Sequence, residues 1–146
     1  MYAMAPIEQI LKKYSPAVTP PSGSAAASLA AIEAFIGFPL PDDYKYFLLN
    51  FRGFEQAVGE EYLHLWDVNE LIENNEDYLI TNTLPQTIGI GDDRGGEFIA
   101  LEKITDNVYR IVLSPFVHIS PQFHLDIGNS FTDFLLRLES GQKWAV

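Results

Sequence analysis

The sequence contains no cysteine among its 146 residues. This absence excludes disulfides, thiolate metal sites and cysteine nucleophiles. Because small secreted domains commonly depend on disulfides, a cytoplasmic location is expected. Residues 1–6 also lack the basic start and apolar core that are typical of a signal peptide. No apolar run approaches the ~20 residues that a membrane-spanning helix needs, so no membrane association is expected.

Basic residues are scarce as well, since nine Lys and Arg oppose 20 Asp and Glu for a net charge of −11. Nonspecific affinity for nucleic acid or for an anionic membrane depends on Lys and Arg, so neither is an expected partner. Between Arg52 and Arg94 there is no Lys or Arg. This acidic tract is either solvated surface or the source of a field that steers a basic partner. Its ten acidic residues are Glu55, Glu60, Glu61, Asp67, Glu70, Glu73, Glu76, Asp77, Asp92 and Asp93.

Apolar residues recur at helical spacing in five segments. Ser24 is a typical N-cap for the second of them. Asp67 with Glu70, and Ser130 with Asp133, match the capping-box pattern and predict the starts of the fourth and fifth helices. Proline and glycine predict a loop over residues 15–24. The predicted helices cover residues 7–14, 25–36, 41–51, 68–78 and 131–138.

The middle of the chain is typical of strands joined by short turns. Helices at both ends with strands between them indicate the α+β class, with a central, mostly antiparallel sheet flanked by N- and C-terminal helices. Residues 1–146 are expected to form a single domain. The predicted strands are a hairpin of 54–58 and 62–65, then 87–91, 97–102, 107–113 and a short edge strand at 115–119.

No arrangement of residues indicates catalysis or a cofactor. The glycine-rich segment 88–96 precedes a strand-like run rather than a helix, so it predicts a hairpin turn and not a phosphate loop. Asp92, Asp93 and Glu97 do not have the alternate spacing of a calcium loop. A Ser-His-Asp triad is defined by geometry and stays open, although no G-x-S-x-G elbow is present. The histidines, which lack zinc-site spacing and adjoin no candidate nucleophile, are His64, His118 and His124.

Four motifs in order resemble the SUKH superfamily, which includes immunity proteins and fungal regulators of cell-wall synthesis. The resemblance covers about residues 32–138. Arg52 before Gly53, and Glu97 where the family more often has aspartate, depart from its pattern. The motifs are IEAFIGFPLPDDYKYFL at 32–48, LWDVNEL at 65–71, IGIGD followed by GGEF at 88–98, and NSFTDFL at 129–135.

The resemblance implies a non-enzymatic bacterial immunity protein that binds and inhibits a cognate toxin, commonly a basic enzyme acting on nucleic acid. An adaptor or regulatory scaffold, like the fungal relatives, is the alternative. Tyr62 or Trp66 would supply an aromatic anchor, while a core position is the other interpretation of Trp66. The candidate partner-binding residues are Glu60, Glu61, Tyr62, Trp66, Asp67, Glu70, Glu73, Asp92 and Asp93.

Overall fold

The computed structural model describes residues 5–14, 21 and 23–144, so most of the predicted loop at 15–24 and of the segment 1–6 lies outside the described residues. No described helix is long and apolar enough to cross a membrane. The elements are α1 (Ala5–Tyr14), α2 (Ala25–Ile36), α3 (Asp42–Asn50), β1 (Phe54–Val58), β2 (Glu61–Leu65), α4 (Leu71–Asp77), α5 (Ile80–Thr83), β3 (Thr87–Asp92), β4 (Glu97–Thr105), β5 (Val108–Pro115), a 3-10 turn (Pro121–Phe123), β6 (Leu125–Gly128) and α6 (Phe131–Glu139).

Two of the predicted helix caps are confirmed. The Ser24 hydroxyl accepts a hydrogen bond from the Ala27 amide at 3.3 Å, and the Ser130 hydroxyl accepts one from the Asp133 amide at 2.9 Å. Each bond satisfies an amide that has no partner within the helix. The local sequence therefore determines where α2 and α6 begin.

The predicted start of the fourth helix is wrong. Asp67 and Glu70 form a turn, and α4 begins only at Leu71. The Asp67 carboxylate accepts from the Asn69 amide at 3.1 Å, and the Glu70 carboxylate accepts from the Asp67 amide at 2.9 Å. The bond from the Asp67 amide to Glu70 is one that a capping box uses, but the Asp67 carboxylate bonds to Asn69 instead of Glu70, and both bonds stabilise a turn ahead of the helix.

The six strands form one antiparallel sheet in the order β1-β2-β3-β4-β5-β6, which confirms the α+β class. The predicted edge strand at 115–119 is wrong, because the edge is β6, which pairs with β5. The Phe116 amide still donates to the Gly96 carbonyl at 3.0 Å. Two residues later His118 has a φ of 61°, a left-handed conformation that cannot continue a strand.

The two faces of the sheet are covered differently. Helices α1 and α6 pack on one face, where Leu63 and Leu65 of β2 are buried. The alternate residues Tyr62 and His64 point to the other face, since side chains alternate along a strand. Helices α4 and α5 pack against β3 on that second face and leave β1 and β2 largely uncovered. We call this second face the open face.

Candidate functional site

Trp66 lies in the core and not at the surface. Its side chain is 1% exposed, and its indole Nε1 donates to the Asp92 carboxylate at 2.8 Å. A buried indole satisfied in this way cannot present its ring to a partner, so the interpretation of Trp66 as a partner anchor is wrong. Its position between the end of an apolar strand and the acidic Asp67 gave no indication in sequence of which alternative would hold.

Asp92 bonds to several residues of the open face. The carboxylate oxygen that receives the Trp66 bond also lies 2.9 Å from His64 Nδ1, and the other oxygen accepts from the Arg94 amide at 2.9 Å. The Asp92 side chain is only 14% exposed. Its contacts join β2, β3 and the turn after β3, so Asp92 has little surface left to offer a partner.

Arg94, the basic residue that ends the acidic tract in sequence, folds back onto the residue that begins it. Its guanidinium donates to both oxygens of Glu55, at 2.8 and 3.0 Å, in a bidentate pair. The Tyr62 hydroxyl donates to the same carboxylate at 2.9 Å. Hydrogen bonds from Arg94 and then Tyr62 lower the pKa of Glu55 to about 2. Sequence analysis could not find this pair, because it depends on the register that brings the two segments together.

A second group of carboxylates lies at the β1–β2 and β3–β4 turns. Glu60 is exposed, whereas Glu61 is half-buried and accepts from the Trp144 amide at 2.8 Å. One Asp93 oxygen accepts from the Gly95 amide at 2.8 Å and shapes the β3–β4 turn. Burial, followed by the nearby Asp93 and Glu61 carboxylates, raises the pKa of Glu97. The predicted residues Glu61 and Asp93, one at each of these two turns, therefore lie near each other.

The remaining predicted residues lie at the other end of β2 and along α4. Asp67 and Glu70 border a cleft of about 480 Å³ that Arg52 also lines. One Asp67 oxygen is buried and has no hydrogen-bond partner among the described residues. Since β2 separates Glu61 from Asp67, the two groups are roughly 20 Å apart at ~3.3 Å per residue. The nine candidates thus form an extended strip and not one compact patch.

Helix α4 presents an acidic surface to solvent. Glu70, Glu73 and Asp77 repeat at i, i+3 and i+7, which places them along one side of the helix. They are exposed, as is Glu76, and none has an ion-pair partner in the described part of the chain. Glu76 and Asp77 lie in the last turn, where the helix dipole disfavours carboxylates. Glu76 and Asp77 therefore act against the helix that carries them, whereas Glu70 and Glu73 lie near its start, where the dipole favours carboxylates.

Beside this acidic helix lies an apolar patch that sequence analysis missed. Tyr78, Leu79 and Val117 are 48%, 58% and 69% exposed. The Tyr78 ring stacks on Trp66 with centroids 6.3 Å apart and meets the Phe116 ring at 4.5 Å. The sequence signal for the patch was the pair Tyr78 and Leu79 directly after the acidic helix. The other half, Phe116 and Val117, comes from a distant part of the chain and could not be linked to that pair from the sequence. We call Tyr78, Leu79, Phe116 and Val117 the apolar patch.

The histidines are placed differently from one another. His64 Nε2 lies 3.9 Å from a Glu55 carboxylate, and its Nδ1 faces Asp92. Both ring nitrogens of His124 are buried without partners among the described residues, and burial lowers the pKa of His124. Within the described ranges no group of three or more His, Asp and Glu side chains is placed to hold a metal ion.

Most of the chain matches the model of one known protein family. The family model described as the SMI1/KNR4 family (SUKH-1) matches residues 23–137. That range contains the whole sheet, helix α4 and the apolar patch. No curated protein matches the chain in sequence.

Proposed function

Since the chain belongs to the SMI1/KNR4 family (SUKH-1), we propose that it is a bacterial immunity protein that acts in the cytoplasm. It binds and inhibits a cognate toxin, and the toxin is a basic enzyme that acts on nucleic acid. The chain itself performs no catalysis. The observation that carries the proposal is the uneven pairing of carboxylates over the described surface.

Outside the acidic tract, seven carboxylates of the described chain form ion pairs with Lys or Arg. Inside the tract, Glu55 is the one carboxylate among the described residues that does so. Six of the nine basic residues thus pair with carboxylates outside the tract, while most of the tract stays charged. A concentrated field of one sign attracts a partner of the opposite sign and raises its association rate.

The arrangement of α4 supports a binding role for these charges. A helix of seven residues has little stability of its own. Carboxylates in its last turn lower that stability further, and no basic residue is present there to offset them. Acids that cost stability and pair with nothing in the described chain are what a surface selected for an external basic partner would retain.

The His64 cluster supports the absence of catalysis. Asp92 holds Nδ1 of the ring, as the acid of a triad would. The opposite nitrogen, which would have to take a proton from a nucleophile, faces the Glu55 carboxylate instead. Glu55 is itself held by Arg94 and Tyr62. This cluster ties β1, β2 and the β3–β4 turn together, and it supplies no activated nucleophile.

The test measures association with the purified toxin domain encoded by the reading frame beside the gene of this chain. Stopped-flow association rates are measured from about 50 to 500 mM salt, spanning Debye lengths of roughly 14 to 4 Å. We expect the rate to fall steeply with salt, and the double variant Glu73→Gln/Asp77→Asn to associate severalfold more slowly with a shallower dependence. Inhibition of the toxin by the unmodified chain is measured in parallel.

The matched control removes two negative charges from elsewhere. Asp106→Asn/Glu139→Gln changes the net charge by the same amount but replaces carboxylates paired with Lys103 and Lys13. This control should associate at the rate of the unmodified chain. A salt-independent rate would contradict the electrostatic role of the tract, and absence of both binding and inhibition would contradict the immunity function.

A further inference from the structure

We infer that the apolar patch is the point at which the partner docks, and that the partner inserts an apolar side chain flanked by Lys or Arg. This inference rests on the proposed function and specifies which part of the surface performs it. It moves the aromatic anchor from Trp66, which is buried, to Tyr78, which covers it.

The patch is built on a rigid base. The ring of Tyr78 lies between Trp66 below it and Phe116 beside it. Phe116 in turn packs on the buried Phe98 with centroids 5.1 Å apart. An exposed aromatic residue held by buried rings loses little conformational entropy when a partner covers it, and such residues are enriched among binding hot spots.

Leu79 is unusual in two respects at once. It is 58% exposed, and its backbone is left-handed with φ 59° and ψ 30°. A leucine in this conformation is strained relative to glycine, which commonly follows the end of a helix. The exposed side chain therefore contributes little to the stability of the isolated chain, and glycine would adopt this backbone conformation with less strain. Burial of this side chain in a complex would account for it.

The charges beside the apolar patch indicate which kind of partner binds there. Glu76 and Asp77 directly precede Tyr78, and the Gly96 carbonyl that accepts from Phe116 belongs to the turn shaped by Asp93. Acidic residues therefore adjoin the apolar patch where α4 ends, and they match a basic protein surface around an apolar side chain. A second copy of the chain would bring the same carboxylates against themselves across a two-fold axis, so self-association is disfavoured. An anionic membrane would be repelled for the same reason.

The test is Leu79→Gly, because glycine removes the side chain and relieves the backbone. We expect the dissociation constant for the adjacent-gene toxin domain to rise about tenfold or more, while the midpoint of thermal unfolding stays the same or rises. The control Gln86→Gly replaces another exposed left-handed residue, with φ 54°, at the other end of β3. It should leave the dissociation constant unchanged.

A second pair of variants keeps the conclusion independent of Leu79. Val117→Ser should weaken the same complex severalfold, whereas Val108→Ser, which replaces a 49% exposed valine at the far end of β5, should not. Binding of Leu79→Gly and Val117→Ser within twofold of the unmodified chain overturns the inference and leaves the proposed function standing. If the unmodified chain does not bind, the proposed function fails and the inference with it. A chain that sediments as a dimer, and as a monomer after Leu79→Gly, would show that a second copy is the occupant and overturn it too.

Discussion

Replacing Asn75 with alanine should loosen the acidic helix from the sheet. Asn75 is fully buried on α4, and its amide bonds to both backbone groups of Gly89. Asn75 Oδ1 accepts from the Gly89 amide at 2.7 Å, and Asn75 Nδ2 donates to the Gly89 carbonyl at 3.0 Å. Strand β2 ends at Leu65, which pairs with Gly91, so it does not reach Gly89. The asparagine side chain takes the place of the missing strand residue.

The magnitude follows from what the deletion leaves behind. Each bond contributes about 0.5–1.5 kcal/mol, but a buried amide or carbonyl without a partner costs about 1–3 kcal/mol. Asn75 Nδ2 also donates to the Leu71 carbonyl at 2.8 Å, a group that keeps its helical partner and loses less. Alanine has the higher helix propensity and returns about 0.5 kcal/mol. The expected loss in the free energy of unfolding is about 3 kcal/mol.

Urea denaturation of Asn75→Ala, followed by circular dichroism, measures this loss. The matched control is Asn74→Ala, the same substitution at the preceding position of α4, where the half-buried side-chain amide bonds to no described residue. The control should change stability by less than about 0.5 kcal/mol. Native-state hydrogen exchange should show faster exchange at the Gly89 amide in Asn75→Ala. A loss below about 1 kcal/mol would refute the idea that the amide replaces a strand residue.

Two further predictions concern the open face and its hairpin. The Glu55 carboxyl, followed by NMR, should titrate near pH 2. Because this pKa is depressed in the folded state, the ionised carboxylate stabilises the fold above the ordinary pKa of about 4.3. That stabilisation is lost as the pH falls to about 2. Arg94→Ala should move that titration upward, Arg52→Ala should not, and equal effects of the two would disprove the specific pair. Gly59→Ala should cost several kcal/mol by thermal unfolding, because its φ is 60° and an added Cβ would lie 2.1 Å from a carbonyl oxygen of α6. Gly23→Ala, at φ 72° in open space, should cost only about 1 kcal/mol, and similar losses at both sites would contradict the steric argument.

The elements that sequence analysis predicted well are those specified by local chemistry. Helices α2 and α6 begin where Ser24 and Ser130 supply a hydroxyl to an unpaired amide. The antiparallel sheet followed from short turns between apolar runs, and the α+β class followed from strands grouped between helices at both ends. The start of α4 was missed because Asp67 and Glu70, spaced as in a capping box, make only one of its two reciprocal bonds and stabilise a turn instead.

The features that sequence analysis could not predict depend on the register between distant segments. Asn75 lies four positions after Leu71 and shares its buried side of α4, but the local sequence does not show that its amide bonds to Gly89, since this depends on where β2 ends. Arg94 was visible only as the end of the acidic tract, whereas its role comes from the bidentate pair with Glu55, 39 positions away. The apolar patch likewise needs the end of α4 and the segment after β5 to meet.

These contacts divide the acidic tract into two kinds of carboxylate. Glu55 and Asp92 are engaged in contacts within the protein. Arg94 and Tyr62 bond to Glu55, and His64 and Trp66 bond to Asp92. The acids of α4 receive nothing comparable, and the helix stays in place through its buried side, where Asn75 and neighbouring apolar residues contact β3 and the core. The side of α4 that faces the sheet thus supports the side that faces solvent. Because a short helix with carboxylates in its last turn has little stability of its own, we expect loss of the Asn75 bonds to loosen the helix that carries these charges.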